Sequence, residues 1–354
     1  MSLRLMLFTI LDVLIPLVKG KTPLENKVLV LTLISPALAF LKCRKKITLG
    51  VKLMLLAWIW GVAVAVRKHT ALLGSSYRYN GLIEKILFLM NTVQSSEMDE
   101  REAQLSLTLM AIVATVVSLM KSNPTGNPDF LPHYIVQHVP FTLYKFLSSH
   151  GFWKLFWLFC FLAQGWKIVK TEVRGGLIGL GASLLFFLAR IDRKLIRKNA
   201  GWFAAGLLAV PFAAYALYKK GWFKRIARSE TVQTRIEMAK AFWPMFKKRP
   251  YGYGNDNLRE HTCMYKTEKH EKLEARTIFD RFHNAYLDEL AMRGPLGLLA
   301  FLYIPFKLLR RKGSDHLTAV QAGIVGYLAE DIVGFGSVAA DWTYYRLTGM
   351  GNVL

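Results

Sequence analysis

Long apolar runs separated by short polar or basic segments make up most of the chain. A helix needs about 20 apolar residues to cross the hydrocarbon core of a bilayer, and tilted or re-entrant helices account for shorter runs. Eleven runs fit this pattern, at 4–18, 27–42, 48–66, 80–95, 104–120, 131–147, 151–168, 174–190, 200–218, 286–308 and 317–338. The pattern predicts an all-α polytopic membrane protein with about 11 transmembrane helices, within a range of 10–12.

The basic residues of the short loops predict the orientation of these spans. The strongest basic loops are Lys42–Lys46, Arg190–Lys198 and Arg310–Lys312, and all three fall on the same side as the N-terminus. Short loops rich in Lys and Arg stay in the cytoplasm, so this side is predicted to be cytoplasmic. The loops at 67–79, 121–130, 169–173 and 219–285 then face the extracytoplasmic side.

The longest of these outer loops divides the chain into three parts. We expect an N-terminal transmembrane bundle at 1–218, a long periplasmic or extracytoplasmic loop at 219–285, and C-terminal transmembrane helices with a tail at 286–354. The loop is basic, with 16 Lys and Arg against 8 Asp and Glu across 219–282. Long loops are exempt from the orientation rule, so this charge has another cause. An anionic ligand and a solvated surface along the membrane explain it equally well.

An amphipathic helix carrying Arg235 is predicted inside this loop. At ~100° per residue, Arg235 lies on the border of an apolar stripe formed by Val232, Ile236, Ala239, Trp243 and Phe246. An arginine in this place can lay its stem on apolar surface and keep its guanidinium in a wet cleft. Periodicity alone favours the simpler interpretation, a snorkelling surface arginine.

A histidine follows this helix at the predicted start of another. The segment Arg249–Gly254 must turn, because proline and glycine alternate with tyrosine there. A helix then restarts within Phe282–Leu287, with Asp280 as its predicted cap and His283 in its first turn. A helix N-terminus disfavours an imidazolium, so His283 would be neutral and able to act as a base. A surface or capping histidine is the simpler alternative.

Composition narrows the classes of partner. The chain has 354 residues, 53% of them hydrophobic, and a net charge of +23. The basic residues cluster between apolar runs, which is typical of orientation signals and of anionic lipids or substrates, and not of nucleic-acid binding. The three cysteines have no disulfide or metal spacing, and the histidines form no metal-binding motif. We therefore expect neither a metal nor another cofactor.

Two further candidates belong to predicted spans, one at the end of a span and one inside another. Arg174 lies at the extracytoplasmic end of one predicted span. Its planar guanidinium carries several N–H donors whose geometry matches phosphate well. The neighbouring Gly175 and Gly176 would let a bulky headgroup approach the backbone, although a snorkelling arginine is the default interpretation. Glu330–Asp331 lies inside an apolar run, where carboxylates are functional candidates or structural polar pairs.

Taken in order, these motifs resemble those of the O-antigen ligase and polymerase family of membrane glycosyltransferases. The arginine-bearing helix ends in a P-x-G-x-G turn, and HN-x-Y-L and G-x-x-G-L-L follow it. Three earlier segments are also similar to family motifs, at Tyr77–Leu82, at Gly126–Leu131 followed by Tyr134, and at Thr171–Gly176, which has Val173 where the family pattern has serine. The resemblance covers roughly residues 75–340.

The resemblance implies a fold, a reaction and a set of residue roles. The fold would be GT-C-like, with amphipathic helices in the long outer loop. The reaction would be an inverting, metal-independent transfer of glycan from an undecaprenyl-diphosphate carrier to an acceptor hydroxyl at the periplasmic face. By motif position, Arg174 and Arg235 would bind the donor diphosphate, and His283 would be the general base. Donor-binding or supporting roles would fall to Arg78, Asn127, Asn284, Tyr286 and Asp331.

Several alternatives stay open at this point. The expected location is the bacterial inner membrane, and the expected partners are the lipid-linked donor, membrane lipids, and a glycan, lipid A-core or protein acceptor. The motifs do not separate a ligase from a polymerase or a protein glycosyltransferase, and they do not fix the sugar. A glycolipid-binding transporter or scaffold without catalysis is the alternative from another class. The last span of the family is expected to be truncated or absent, because the chain ends at Leu354.

Overall fold

The computed structural model describes the whole chain except residues 1, 18–26, 28–33, 35–36, 39–40, 76–77, 125–126, 220, 227–229 and 276. The described part is helical and contains no strand. Its N-terminal helices are α1 Leu3–Leu17, α2 Leu49–Ala63, α3 Lys68–Leu73, α4 Leu82–Ser96, α5 Glu100–Leu119, α6 Phe130–Ile135, α7 Val139–Ser148, α8 Gly151–Thr171, α9 Arg174–Arg190, α10 Arg193–Lys198 and α11 Ala200–Lys219.

The long loop and the C-terminal part supply the remaining described helices. In the loop these are α12 Trp222–Ile226, α13 Glu230–Lys248, α14 Arg259–Thr262, a 3₁₀ turn at Cys263–Tyr265, and α15 Glu268–Leu273. They are followed by α16 Ala285–Leu309, α17 Asp315–Glu330 and α18 Val338–Met350.

Three described helices are long and apolar enough to cross a membrane, namely α5, α11 and α16. Helix α2 is apolar but shorter. The eleven-span topology therefore stays a prediction, and the predicted span at 27–42 lies largely outside the described residues. The all-helical architecture itself is confirmed.

One predicted span, 131–147, is wrong as a single helix, because the chain breaks between α6 and α7. Pro140 occupies the first turn of α7. Since proline has no N–H, it cannot bond the carbonyl of the residue four positions earlier, and the helix restarts there. The predicted span 317–338 is also shorter than expected, because α17 ends at Glu330.

Helix α18 lies at the centre of the bundle. All 13 of its residues are buried, and it packs against α4 and α17. Arg346 donates from Nη1 to Ser95 Oγ and from Nη2 to Ser106 Oγ, both at 2.7 Å. Trp342 Nε1 donates to Asp12 Oδ1 at 2.8 Å, which joins α18 to α1. These polar contacts hold a short, charged helix inside the bundle.

Glycines bring α9 and α17 into close contact. A Cβ at Gly179 would lie 2.7 Å from Gly326 O, and a Cβ at Gly175 would lie 3.1 Å from Glu330 Cγ. A Cβ at Gly176 would lie 2.4 Å from Pro132 Cβ. The expectation that a headgroup approaches the backbone is therefore wrong at Gly176, which faces packed protein, and stays a prediction at Gly175. Their small size serves helix packing, and it fixes the position of Arg174.

A kink in α16 anchors the long loop to the bundle. Gly294 has non-helical dihedral angles, and Pro295 follows it without an N–H. Pro295 cannot bond the carbonyl of Ala291, and the carbonyls of Ala291 and Met292 accept hydrogen bonds from the backbone N–H groups of Tyr253 and Gly254 at 2.9 and 2.8 Å. The P-x-G-x-G turn and the Gly-Pro break are thus two halves of one contact.

The long loop has an apolar cluster of its own, formed by Met238, Ala241, Phe242, Met245, Tyr253, Leu258, Phe279, Phe282, Ala291 and Met292. Helix α13 contributes a Met and Phe face to it. The stripe predicted from periodicity lies on the outside instead, with Ile236 and Trp243 about half exposed. An exposed apolar stripe on a basic helix is typical of a helix lying at a membrane surface.

Candidate functional site

A pocket forms where the long loop meets the ends of α6, α9 and α17. Arg235 reaches it from α13, and His283 reaches it from the segment before α16. The remaining lining residues are Asp129, Phe130, His133, Val173, Gly175, Glu330, Val333, Gly334 and Phe335. The structure thus brings together two of the three residues predicted to be catalytic, although 48 positions separate them in the chain.

Arg174, the third predicted residue, lies at the edge of this pocket. It is the first residue of α9, and its neighbours Val173 and Gly175 both line the pocket. Burial lowers the pKa of Arg235, and the positive charge of Arg174 lowers it further, while Asp129 opposes them. The two guanidinium groups are therefore close enough to repel one another. An anion between them would relieve this repulsion.

Arg235 has one acidic neighbour in the pocket. Its Nη2 atom lies 3.9 Å from Asp129 Oδ2, and its side chain is 27% exposed. At this distance the pair is a loose ion pair without direct hydrogen bonding. Arg235 therefore retains donors for an anionic ligand.

His283 adopts a left-handed backbone conformation, with φ of 52°. The predicted cap at Asp280 is wrong, because Asn284 caps α16 by accepting a hydrogen bond from Leu287 N at 3.0 Å. His283 consequently precedes the helix and is not in its first turn. Non-glycine residues with such φ values are uncommon and strained, and they cluster at functional sites.

The environment of His283 keeps its ring neutral. Burial lowers the pKa of His283 to about 4, helped by the charges of Arg235 and Arg78 and opposed by Asp280. The sequence analysis attributed a neutral ring to the helix N-terminus, whereas burial is the largest cause of the lowered pKa. The ring packs edge-on against Phe335, with the two centroids 5.0 Å apart.

Arg78 and Asp280 form an ion pair beside this histidine. Arg78 Nε and Nη2 donate to the two carboxylate oxygens of Asp280 at 2.5 and 3.0 Å. Burial opposes ionisation of Asp280, but the hydrogen bond from Arg78 and the nearby arginine charges lower its pKa to about 2. The Arg78 guanidinium also lies 4.6 Å from the ring centroid of Phe335. Arg78 thus fixes the segment that carries His283.

Comparison with known proteins found one family model that matches part of the chain. A family model described as O-antigen ligase matches residues 155–302. In this segment, which is less than half of the chain, the protein is similar to the O-antigen ligase family. Comparisons with curated proteins and with solved structures found no match. The matched segment includes Arg174, Arg235 and His283.

Three other predicted residues, Asn127, Asn284 and Tyr286, lie outside the lining of the pocket and make hydrogen bonds around it. Asn127 Oδ1 accepts a hydrogen bond from Asp129 N at 3.0 Å and so holds the turn that presents Asp129. Asn284 Nδ2 donates to Ile332 O at 2.8 Å, and Tyr286 Oη donates to Leu328 O at 2.7 Å. These two bonds tie α16 to the end of α17.

Asp331 is buried and does not line the pocket. Its backbone carbonyl accepts a hydrogen bond from Ala285 N at 2.9 Å, and its Oδ1 lies 3.4 Å from His133 Nε2. The preceding Glu330 does line the pocket. Of the carboxylate pair singled out in the sequence, Glu330 is therefore the member that faces Arg235 and His283.

Two contributors to the pocket, Asp129 and Phe335, escaped sequence reasoning, and a third, Glu330, was a candidate only as part of a pair. Asp129 stands where the family motif has asparagine, and that departure was the available signal. Phe335 lies in an apolar stretch whose pattern does not distinguish it from a core residue. Glu330 was visible as an intramembrane carboxylate, but only the fold separates it from Asp331. Among the described residues there is no group of three or more His, Cys, Asp or Glu that could hold a metal ion.

Proposed function

We propose that this chain is an inverting, metal-independent glycosyltransferase of the ligase or polymerase type. It moves a glycan from an undecaprenyl-diphosphate carrier to an acceptor hydroxyl at the periplasmic face of the bacterial inner membrane. Arg174 and Arg235 bind the donor diphosphate, and His283 is the general base. The observation that carries the proposal is that Arg235 and a neutral His283 line one pocket with Arg174 at its edge.

The reaction is a single displacement at the anomeric carbon. The acceptor oxygen attacks this carbon as His283 takes the hydroxyl proton, and the bond to the diphosphate oxygen breaks on the opposite face. The bonding electron pair leaves with the diphosphate, whose growing negative charge Arg174 and Arg235 stabilise. Since a diphosphate leaves readily, charge stabilisation by arginines supplies what a divalent cation supplies in many diphosphate-sugar transferases.

Donor binding also activates the base. The charges of Arg235 and Arg78 help to depress the pKa of His283. A bound diphosphate offsets positive charge next to the imidazole, so the pKa of His283 rises toward neutrality once the donor is in place. Proton transfer is most efficient when the pKa of the base lies near the working pH. His283 thus becomes an effective base only in the donor complex.

A transfer assay in membrane vesicles tests the proposal. With a lipid-diphosphate glycan as donor, wild-type vesicles should transfer glycan to an acceptor, and EDTA should leave the rate unchanged. His283→Ala should lower kcat by about 10²–10⁴-fold, as expected for loss of a general base. Arg235→Ala should lower it by about 10²–10³-fold, as expected for loss of a charge-stabilising donor.

Matched controls separate these effects from general damage. His69→Ala removes an exposed histidine of α3, and Arg67→Ala removes an arginine that pairs with Glu260 at 2.6 Å, outside the pocket. Both should retain near wild-type rates. Full activity of His283→Ala or Arg235→Ala overturns the mechanism. Binding of lipid diphosphate without turnover by the wild type favours the transporter or scaffold instead.

A further inference from the structure

Phe335 forms a wall shared by three small cavities. The first is the pocket of His283 and Arg235, and the second is lined by Arg78, Asn80 and Glu84. The third is lined by Lys85, Asp288 and Asp341 among others. The cavity volumes are about 20, 20 and 40 Å³. Each has room for one to about three waters and none for a sugar ring.

Polar atoms without partners face the second and third cavities. Within the described part of the chain, Asn80 Oδ1, Glu84 Oε2 and Asp288 Oδ2 are buried and have no hydrogen-bond partner. Glu84 is 5% exposed and Asp288 is 3% exposed. Buried acceptors are normally satisfied, so three in adjoining cavities indicate a ligand that donates hydrogen bonds.

The same cavities also hold donors and aromatic walls. Lys85 Nζ lies 3.8 Å from Asp341 Oδ2, and Arg281 lines both cavities beside Tyr345 in the larger one. Hydroxyl groups both donate and accept hydrogen bonds, and the faces of a sugar ring pack on aromatic side chains. The lining carries charges of both signs, with Lys85 and Arg281 beside Asp288 and Asp341, so it offers donors and acceptors to neutral hydroxyl groups.

The segment that carries Phe335 is suited to movement. It is an irregular stretch between α17 and α18, and glycines flank Phe335 on both sides. The Phe335 ring rests on His283 and on Phe130, with centroids 5.0 and 5.6 Å away. These contacts between side chains can be exchanged for contacts with a ligand. Rotation of the ring away from them would join the three cavities into one cleft.

We propose that the second and third cavities are the acceptor-sugar site, and that Phe335 closes them off from His283 until an acceptor enters. Asn80, Glu84 and Asp288 would accept hydrogen bonds from the sugar's hydroxyl groups. The site rests on the proposed function, since a base at His283 requires an acceptor hydroxyl beside it.

Saturation-transfer NMR on the purified full-length protein in detergent tests the site, with glucose, galactose and N-acetylglucosamine as probes. Wild-type protein should transfer saturation to at least one of these sugars. Asp288→Asn keeps an oxygen for its hydrogen bond from Phe282 N and should reduce the signal at least 5-fold. Glu84→Gln is the second variant should Asp288→Asn fail to fold. Glu260→Gln, a carboxylate variant outside the cavities, should keep the full signal.

A second measurement separates this inference from the proposed function. Binding of undecaprenyl diphosphate to the same samples should depend on Arg235 and not on Asp288. If the lipid diphosphate binds but no probe sugar does, or if sugar binding survives both variants, the acceptor site is wrong and the proposed function stands. If the lipid diphosphate does not bind, the proposed function fails.

Discussion

At the scale of single residues, the pocket combines expected and unexpected groups. Arg235 and His283 could be proposed from the sequence because they lie in motifs whose order resembles that of a known family. That both residues line one pocket could not be predicted from the sequence, because it depends on how α13 folds back over the segment before α16. The strained backbone of His283 and the proximity of Asp129 to Arg235 have no counterpart in local sequence patterns. Both arise from contacts between residues far apart in the chain.

Asp129 is predicted to weaken donor binding. Its carboxylate lies 3.9 Å from the Arg235 guanidinium, where it competes with an incoming diphosphate and repels it. Asp129→Asn removes this charge and should lower the donor KM several-fold, measured in the vesicle transfer assay with donor concentration varied. An unchanged or higher donor KM would show that Asp129 serves to orient Arg235 instead.

At the scale of elements, apolar periodicity located many helices well. The predicted runs 174–190, 200–218 and 286–308 coincide with α9, α11 and α16 to within one residue at each end. Prediction failed where proline breaks a run, as between α6 and α7. It also missed α18, because Asp341 and Arg346 lower its hydropathy. Those charges are satisfied by contacts with other helices, such as those from α1 and α5 to Arg346, which no local pattern reveals.

The contact between the P-x-G-x-G turn and the α16 kink should be sensitive to a single methyl group. Gly252 has φ of 106°, and a Cβ there would lie 2.4 Å from Met292 O. Gly252→Ala should destabilise the protein by more than about 1 kcal/mol, seen as a lower unfolding temperature in detergent. Gly181→Ala is the control, since a Cβ there meets nothing within 4 Å. Equal melting of the two variants would refute the contact's importance.

At the scale of the whole molecule, the pocket lies at one end of the bundle. Helix α16 starts next to His283 and runs for 25 residues, about 37 Å, to the basic segment Arg310–Lys312. The charges of the loops predicted that His283 and this basic segment lie on opposite sides of the membrane. The Lys and Arg content of the short loops predicts that the end with the pocket faces the periplasm.

The native cysteines test this orientation. Cys43 and Cys263 are exposed, and Cys160 is buried. Cys43 Sγ lies 3.0 Å from Gln94 Nε2, near the end of α4 remote from Arg78, whereas Cys263 belongs to the long loop. A membrane-impermeant maleimide added to intact spheroplasts should label Cys263 and spare Cys43, as read by mass spectrometry. Labelling of Cys43 alone would show that the orientation is the reverse of the predicted one.

The central claim is that His283 is the general base and that Arg235 lies beside it. The pH dependence of kcat/KM tests this most directly, because it reports the pKa of the base in the free enzyme. Burial and positive neighbours hold the pKa of His283 at about 4, and the neutral ring is the active form. Wild-type kcat/KM should therefore stay level from about pH 8 down to pH 5 and fall as pH drops through 4. Arg235→Gln removes one positive neighbour, so the acid limb of its residual activity should move upward toward 6.5. A wild-type limb near pH 6.5 that stays in place in Arg235→Gln would contradict the account.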